Sequence, residues 1–139
     1  MLRTGTFVGA MMNVSSDRMP DDVLIVEDDP IIALDFEDTV LRLGVKTVRV
    51  AGSVKRALKM IGERAPDFAL LDIGLIREKS FAIAERLETL GVPFAFATGY
   101  SAEDALPAAF AGKPRLPKPF GADALAAVLK SGSANRAKR

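Results

Sequence analysis

The sequence predicts an α/β protein in which five strands form a doubly wound, mostly parallel sheet flanked by about five helices. Two observations predict it: short apolar runs alternate with segments of helical spacing, and several apolar runs end at charged or hydroxyl residues. The 139 residues, 49% of them hydrophobic, suffice for one domain with a core. We expect a domain over residues 22–131, between a flexible leader (1–21) and a basic flexible tail (132–139).

The first strand and helix are predicted around the acidic run at residues 27–29. Residues 23–26 are apolar and rich in β-branched side chains, which favours a strand. Asp29 is suited to cap a helix, and Pro30 to occupy its first position. Apolar residues recur along this helix until Gly44, namely Ile32, Phe36, Val40 and Leu43.

Two further strands and helices follow in the same order. Residues 45–51 form the second predicted strand, whose lysine and arginine indicate a less buried position. Ser53 caps the second predicted helix, which carries apolar residues on one face. The third strand, residues 67–71, ends at Asp72, and the third helix ends at Gly91.

The last third of the chain contains the weakest predicted element. Residues 93–97 form the fourth strand, and a short fifth strand starts at Leu116. Between them, residues 101–110 could form the fourth helix, but Pro107 removes a hydrogen bond and clashes with the preceding turn. We therefore expect this helix to be short or irregular. The final helix follows, with Leu125 on its apolar face.

Composition excludes several classes of chemistry. The chain has no cysteine and no histidine, so thiolate metal sites, disulfides and imidazole bases are excluded. No stretch reaches the ~18 apolar residues of a membrane span, and residues 7–12 make a poor signal sequence. We expect a cytoplasmic protein with no membrane or nucleic-acid partner. The three basic residues at 136, 138 and 139 are interpreted as a solvated end.

The charged residues at the strand ends predict a site. Parallel strands bring their carboxyl ends to one edge, which would gather Glu27, Asp28 and Asp72 there. Carboxylates this close repel one another unless a proton or cation intervenes, and oxygen ligands favour Mg2+ over zinc. Lys118 and Thr98 would offer donors to an anionic oxygen. The pattern predicts a site for a phosphoryl group on Asp72.

Four motifs at these spacings, VLIVEDD, PDFALLDIGL, PFAFATGY and LPKPF, strongly resemble the receiver domain of two-component response regulators, which has a flavodoxin-like fold. The resemblance covers residues 22–131. It implies that Glu27 and Asp28 hold Mg2+, with Asp28 the direct ligand. It also implies that Asp72 accepts the phosphoryl group and contacts the metal. The backbone carbonyl of Gly74 is expected to be a further ligand of the metal.

The same resemblance implies roles at the other strand ends. Thr98 matches the hydroxyl residue after the fourth strand, and Lys118 the lysine before a proline, whose bond to Pro119 is expected to be cis. One position departs from the family. Receivers usually have an aromatic residue three before the lysine, and here it is Arg115. We therefore expect any switching between inactive and active conformations to involve Thr98-Gly99-Tyr100 and the segment weakened by Pro107 instead.

The PFAFATGY motif resembles a branch of single-domain receivers found with HWE-type and related histidine kinases in alphaproteobacteria. It implies a stand-alone response regulator with a histidine kinase or phosphotransfer protein as phosphodonor and an unknown downstream protein as target. With eight residues after 131, we expect no DNA-binding domain. The alternatives are a phosphate sink, a docking module without phosphorylation, and an aspartyl-nucleophile phosphatase. The phosphatase would need a general acid where Gly74 stands.

Overall fold

A parallel sheet forms the centre of the structure. The structure is a computed structural model that describes residues 18–98 and 107–137. For residues 74–80 and 133–137 it describes the backbone but not the side chains. Within this part of the chain the sheet has five strands in the order β2-β1-β3-β4-β5, and every neighbouring pair is parallel. The strands are β1 (Asp22–Val26), β2 (Thr47–Ala51), β3 (Phe68–Asp72), β4 (Phe94–Thr98) and β5 (Arg115–Pro117). The predicted sheet is confirmed, and its order is the flavodoxin-like one.

Helices connect the strands and cover both faces of the sheet. They are α1 (Pro30–Arg42), α2 (Val54–Glu63), α3 (Ile73–Leu90), a 3-10 turn η1 (Ala108–Phe110) and α4 (Ala122–Ala137). The predicted caps form: Asp29 Oδ1 accepts from the N–H groups of Ile31 and Ile32 at 2.9 and 3.3 Å, and Ser53 Oγ accepts from Arg56 N–H at 3.1 Å. Both caps satisfy amides that have no partner inside the helix.

The predicted fourth helix is only partly within the described residues. Residues 99–106 lie outside them, and these include Gly99 and Tyr100 of the proposed switching segment. After Pro107 the chain forms the single turn η1 and then enters β5. This agrees with the expectation of a short element in the described part of the segment.

The core consists of two layers, one on each face of the sheet. In β1, Leu24 and Val26 point into one layer and Val23 and Ile25 into the other, as alternation along a strand requires. One layer contains buried residues of α2 and α3, and the other contains those of α1 and α4. This arrangement is the doubly wound architecture that the sequence predicts.

Regular structure or core packing extends past residue 131 and before residue 22. Helix α4 continues to Ala137, so residues 132–137 of the predicted flexible tail are helical. The buried Leu129 and Gly132 pack the helix against the core at the point where the prediction ended it, and the alanines and arginine at 134, 136 and 137 favour helix beyond it. At the other end, Met19 of the predicted leader packs against the core. No described helix is long and apolar enough to cross a membrane.

Candidate functional site

Acidic side chains meet at the carboxyl edge of the sheet. β1 and β3 are neighbours, with Val26 opposite Leu71, so Glu27 and Asp72 come next to each other where the two strands end. The buried polar side chains of the described residues are Glu27, Asp72 and Thr98, at 2%, 4% and 2% exposure. Their burial marks this edge, because charged groups are seldom buried without partners.

Three carboxylates are close enough to share a cation. Glu27, Asp28 and Asp72 each offer an oxygen within 4.8 Å of the other two, and Asp28 is exposed while its two neighbours are buried. Such a set of oxygen donors, open to water on one side, suits Mg2+. The arrangement brings together the side-chain ligands that the sequence predicts, and the donor set fits the metal.

Lys118 supplies the positive charge of the site. Its Nζ lies 3.2 Å from Glu27 Oε1 and 3.4 Å from Asp72 Oδ2. Its backbone is fixed as well, because its N–H donates to the Thr98 carbonyl at 2.7 Å and its bond to Pro119 is cis, as predicted. One ammonium therefore bridges two buried carboxylates.

The environment of Glu27 perturbs its ionisation. Burial raises the pKa of the Glu27 carboxyl from 4.5 to about 7, and the neighbouring Asp72 adds to this rise. The Asp29 N–H, which donates to Glu27 Oε2 at 3.2 Å, and the Lys118 ammonium partly oppose the rise. A proton and any cation bound to this carboxylate would therefore compete near neutral pH.

The remaining predicted residues have different positions. Thr98 is buried at the end of β4, next to β3. Asp29 caps α1, the role the sequence predicts for it, while its N–H supports Glu27. Gly74 lies within α3, where only the backbone is described, so its carbonyl role stays a prediction. Arg115, at the aromatic position of other receivers, is exposed at the start of β5.

Sequence reasoning missed one neighbour of the site. The helical spacing predicts Phe36 on the core face of α1, and it is buried, but the Lys118 ammonium also lies 5.7 Å from the centre of its ring. The helical spacing shows that Phe36 faces the sheet. It does not indicate that Phe36 and Lys118 lie at the same level along the strand direction.

The whole pattern of the chain matches one family. The sequence profile of the response regulator receiver domain matches residues 23–130, well over half of the chain. The chain belongs to this family. The receiver is also similar to solved structures of SdrG. Against SdrG from Sphingomonas melonis Fr1 the identity is 36% and the TM-score 0.70, covering 81% of this chain and 96% of that one.

Two further comparisons give similar identities. The BeF3-activated conformation of SdrG, from Pseudomonas melonis Fr1, is 37% identical with a TM-score of 0.68, over 81% of this chain and 96% of that one. The phyllosphere-induced regulator PhyR of Methylorubrum extorquens is 38% identical over 85 residues, which cover 59% of this chain. The match spans only 32% of PhyR, so this receiver corresponds to about a third of that protein's length.

Proposed function

We propose that this receiver is a stand-alone, cytoplasmic response regulator of bacteria that takes a phosphoryl group onto Asp72 with Mg2+ and signals through protein contacts. It is a phosphoacceptor rather than an enzyme acting on other substrates. The observation that carries the proposal is the burial of the Asp72 carboxylate beside two further carboxylates, within 4.8 Å, and the Lys118 ammonium, at 3.4 Å. This combination suits a group that must become more anionic while remaining covered.

The phosphodonor is proposed to be a histidine kinase, of the HWE or a related type, or a phosphotransfer protein. An Asp72 carboxylate oxygen would bond to the phosphorus of a phosphohistidine, and the nitrogen–phosphorus bond would break with its electron pair left on the imidazole. Mg2+ held by Glu27, Asp28, Asp72 and the Gly74 carbonyl would neutralise phosphoryl charge. Lys118 and Thr98 would bind the phosphoryl oxygens.

The phosphoacceptor role is tested with acetyl phosphate and Mg2+, with intact-mass detection under conditions that preserve acyl phosphates. Wild type should gain one phosphoryl mass, and Asp72→Asn should gain none. Asp35→Asn, on an exposed part of α1, is the matched control and should behave as wild type. A wild-type protein that gains no mass contradicts the proposal.

The same assay tests the metal. EDTA should abolish the mass gain, and Asp28→Asn should raise the Mg2+ concentration needed for half-maximal rate by roughly tenfold or more. Asp29→Asn is the control, because asparagine still caps α1. If Asp28→Asn and Asp29→Asn show the same Mg2+ dependence, Asp28 is not a metal ligand.

A switch that binds a target is favoured over a phosphate sink by one comparison. A relative at 37% identity adopts a conformation activated by BeF3, which is a mimic of the phosphoryl group. The two outputs differ in lifetime. A long-lived phospho-form with a phosphorylation-dependent partner supports the switch, whereas rapid hydrolysis without such a partner supports the sink.

A further inference from the structure

The Lys118 ammonium has an aromatic neighbour besides its two carboxylates. The Phe36 ring centre lies 5.7 Å from Nζ, within the range of cation–π attraction. The lysine side chain is 22% exposed and Phe36 is buried, so the contact is largely shielded from water. Shielding strengthens it, because water competes less for the ammonium.

The ring is held in place from two sides. Phe36 belongs to α1 and packs in the core layer beneath that helix. Phe120, two residues after Lys118, packs on it with ring centres 5.1 Å apart. The backbone of Lys118 is itself fixed by its bond to the Thr98 carbonyl. The ring and the base of the lysine side chain therefore have a defined relative position.

The ring differs from the two carboxylates in how it attracts the ammonium. A carboxylate can lose its charge by binding a proton, and it is drawn to any other cation in the site. The face of a phenyl ring carries no titratable charge, so its attraction for the Lys118 ammonium does not change when Glu27 or Asp72 binds a proton. A constant attraction is useful where the neighbouring charges change.

We propose that Phe36 is a positioning residue that holds the Lys118 ammonium beside Asp72 by a cation–π contact. The inference rests on the proposed phosphoacceptor role of Asp72. The alternative is that Phe36 only fills space in the core. The two differ in one respect: the proposed role depends on the electron density of the ring, and space filling depends on its shape alone.

The test introduces phenylalanine carrying one, two or three fluorine atoms at position 36 of the full chain, by amber suppression. Fluorine withdraws electron density with little change of shape. The rate of Asp72 phosphorylation by acetyl phosphate at saturating Mg2+ should fall stepwise, by roughly two- to fivefold for the trifluoro ring. A flat series of rates, with folding retained, overturns the proposal.

Phe94 offers a matched control, because Lys113 Nζ lies 5.0 Å from its ring centre at the opposite end of β4 from Thr98. Fluorination there weakens a similar contact and should leave the rate unchanged. An equal fall in rate at both positions overturns the inference.

A second measurement does not need phosphorylation. The side-chain protons of Lys118 should resonate upfield of ordinary lysine in NMR spectra because of the ring current, and Phe36→Leu should abolish that shift. Absence of the upfield shift overturns the contact itself. If wild type is not phosphorylated but the shift is present, the proposed function fails while the contact stands.

Discussion

At the scale of single residues, neighbouring acids in this receiver lie against different groups. Asp29 has extended dihedral angles and turns its carboxylate to the first amides of α1. Asp28, one residue earlier, shares its surroundings with Glu27 and Asp72. The sequence predicts the position of Asp29 correctly, since an aspartate before proline is typical of a helix cap.

Glu27 gives the metal-free protein a specific dependence on pH. Because its pKa is about 7 in the folded state and 4.5 ordinarily, the folded state binds more protons between these values. Stability therefore falls as pH rises from about 4.5 through 7, by on the order of 3 kcal/mol. Glu27→Gln should lack this loss when urea unfolding is measured from pH 4.5 to 8 in EDTA.

The exposed Glu63→Gln is the control for this series and should parallel wild type at every pH. Comparing variants cancels the titration of all other groups. Parallel curves for Glu27→Gln and wild type would show that burial does not perturb Glu27 in this way.

At the scale of elements, the position of α4 depends on a glycine. A Cβ at Gly132 would overlap the buried Phe68 ring of β3 and come within 3.4 Å of Pro93 Cβ. The absence of a side chain therefore lets the helix approach the sheet closely.

Gly132→Ala should destabilise the protein by about 1–3 kcal/mol, because a ring in a packed core cannot move aside freely. Gly62→Ala is the matched control: Gly62 also lies in a helix, α2, but nothing is within 4 Å of an added Cβ. It should stabilise by about 0.5–1 kcal/mol. Urea unfolding measures both, and equal shifts of the two variants would contradict the close contact.

At the scale of the molecule, the two ends of the sheet carry different charge networks. At the amino end, Arg49 of β2 donates to both Asp22 carboxylate oxygens at 3.2 and 2.9 Å. It also donates to the carbonyls of Met60 and Arg64 at 3.1 and 2.9 Å. One guanidinium thus joins β1, β2 and the end of α2. The network lies a strand length, about 17 Å, from the carboxyl edge.

Arg49→Met should lower the free energy of unfolding by about 2–3 kcal/mol, because it removes several charge-assisted hydrogen bonds. The phosphorylation rate of the folded protein should not change, since the site is at the other edge. Exposed Arg56→Met, in α2, is the control and should change stability by less than about 0.5 kcal/mol. An Arg49→Met variant with the unfolding free energy of wild type, or with a slower phosphorylation rate, would contradict the assignment of stability to the amino edge and of phosphorylation to the carboxyl edge.

The sequence by itself determines which segments are buried, where α1 and α2 begin, and which residues reach the carboxyl edge. These properties are local, since apolar spacing and capping residues act over a few positions. β2 illustrates the limit. Its charged residues correctly indicate a less buried position, which the structure gives it at the edge of the sheet, but they do not reveal that Arg49 is largely covered and bonded to Asp22.

The tertiary structure alone decides which distant side chains touch. Lys118 and Glu27 are 91 positions apart and meet because strand order brings their loops together. The same packing sets the contact between Phe36 and Lys118 and the raised pKa of Glu27. The distance between two distant side chains and the burial of a carboxylate depend on how the helices pack against the sheet. Periodicity fixes the buried face of a helix but not its height along the sheet.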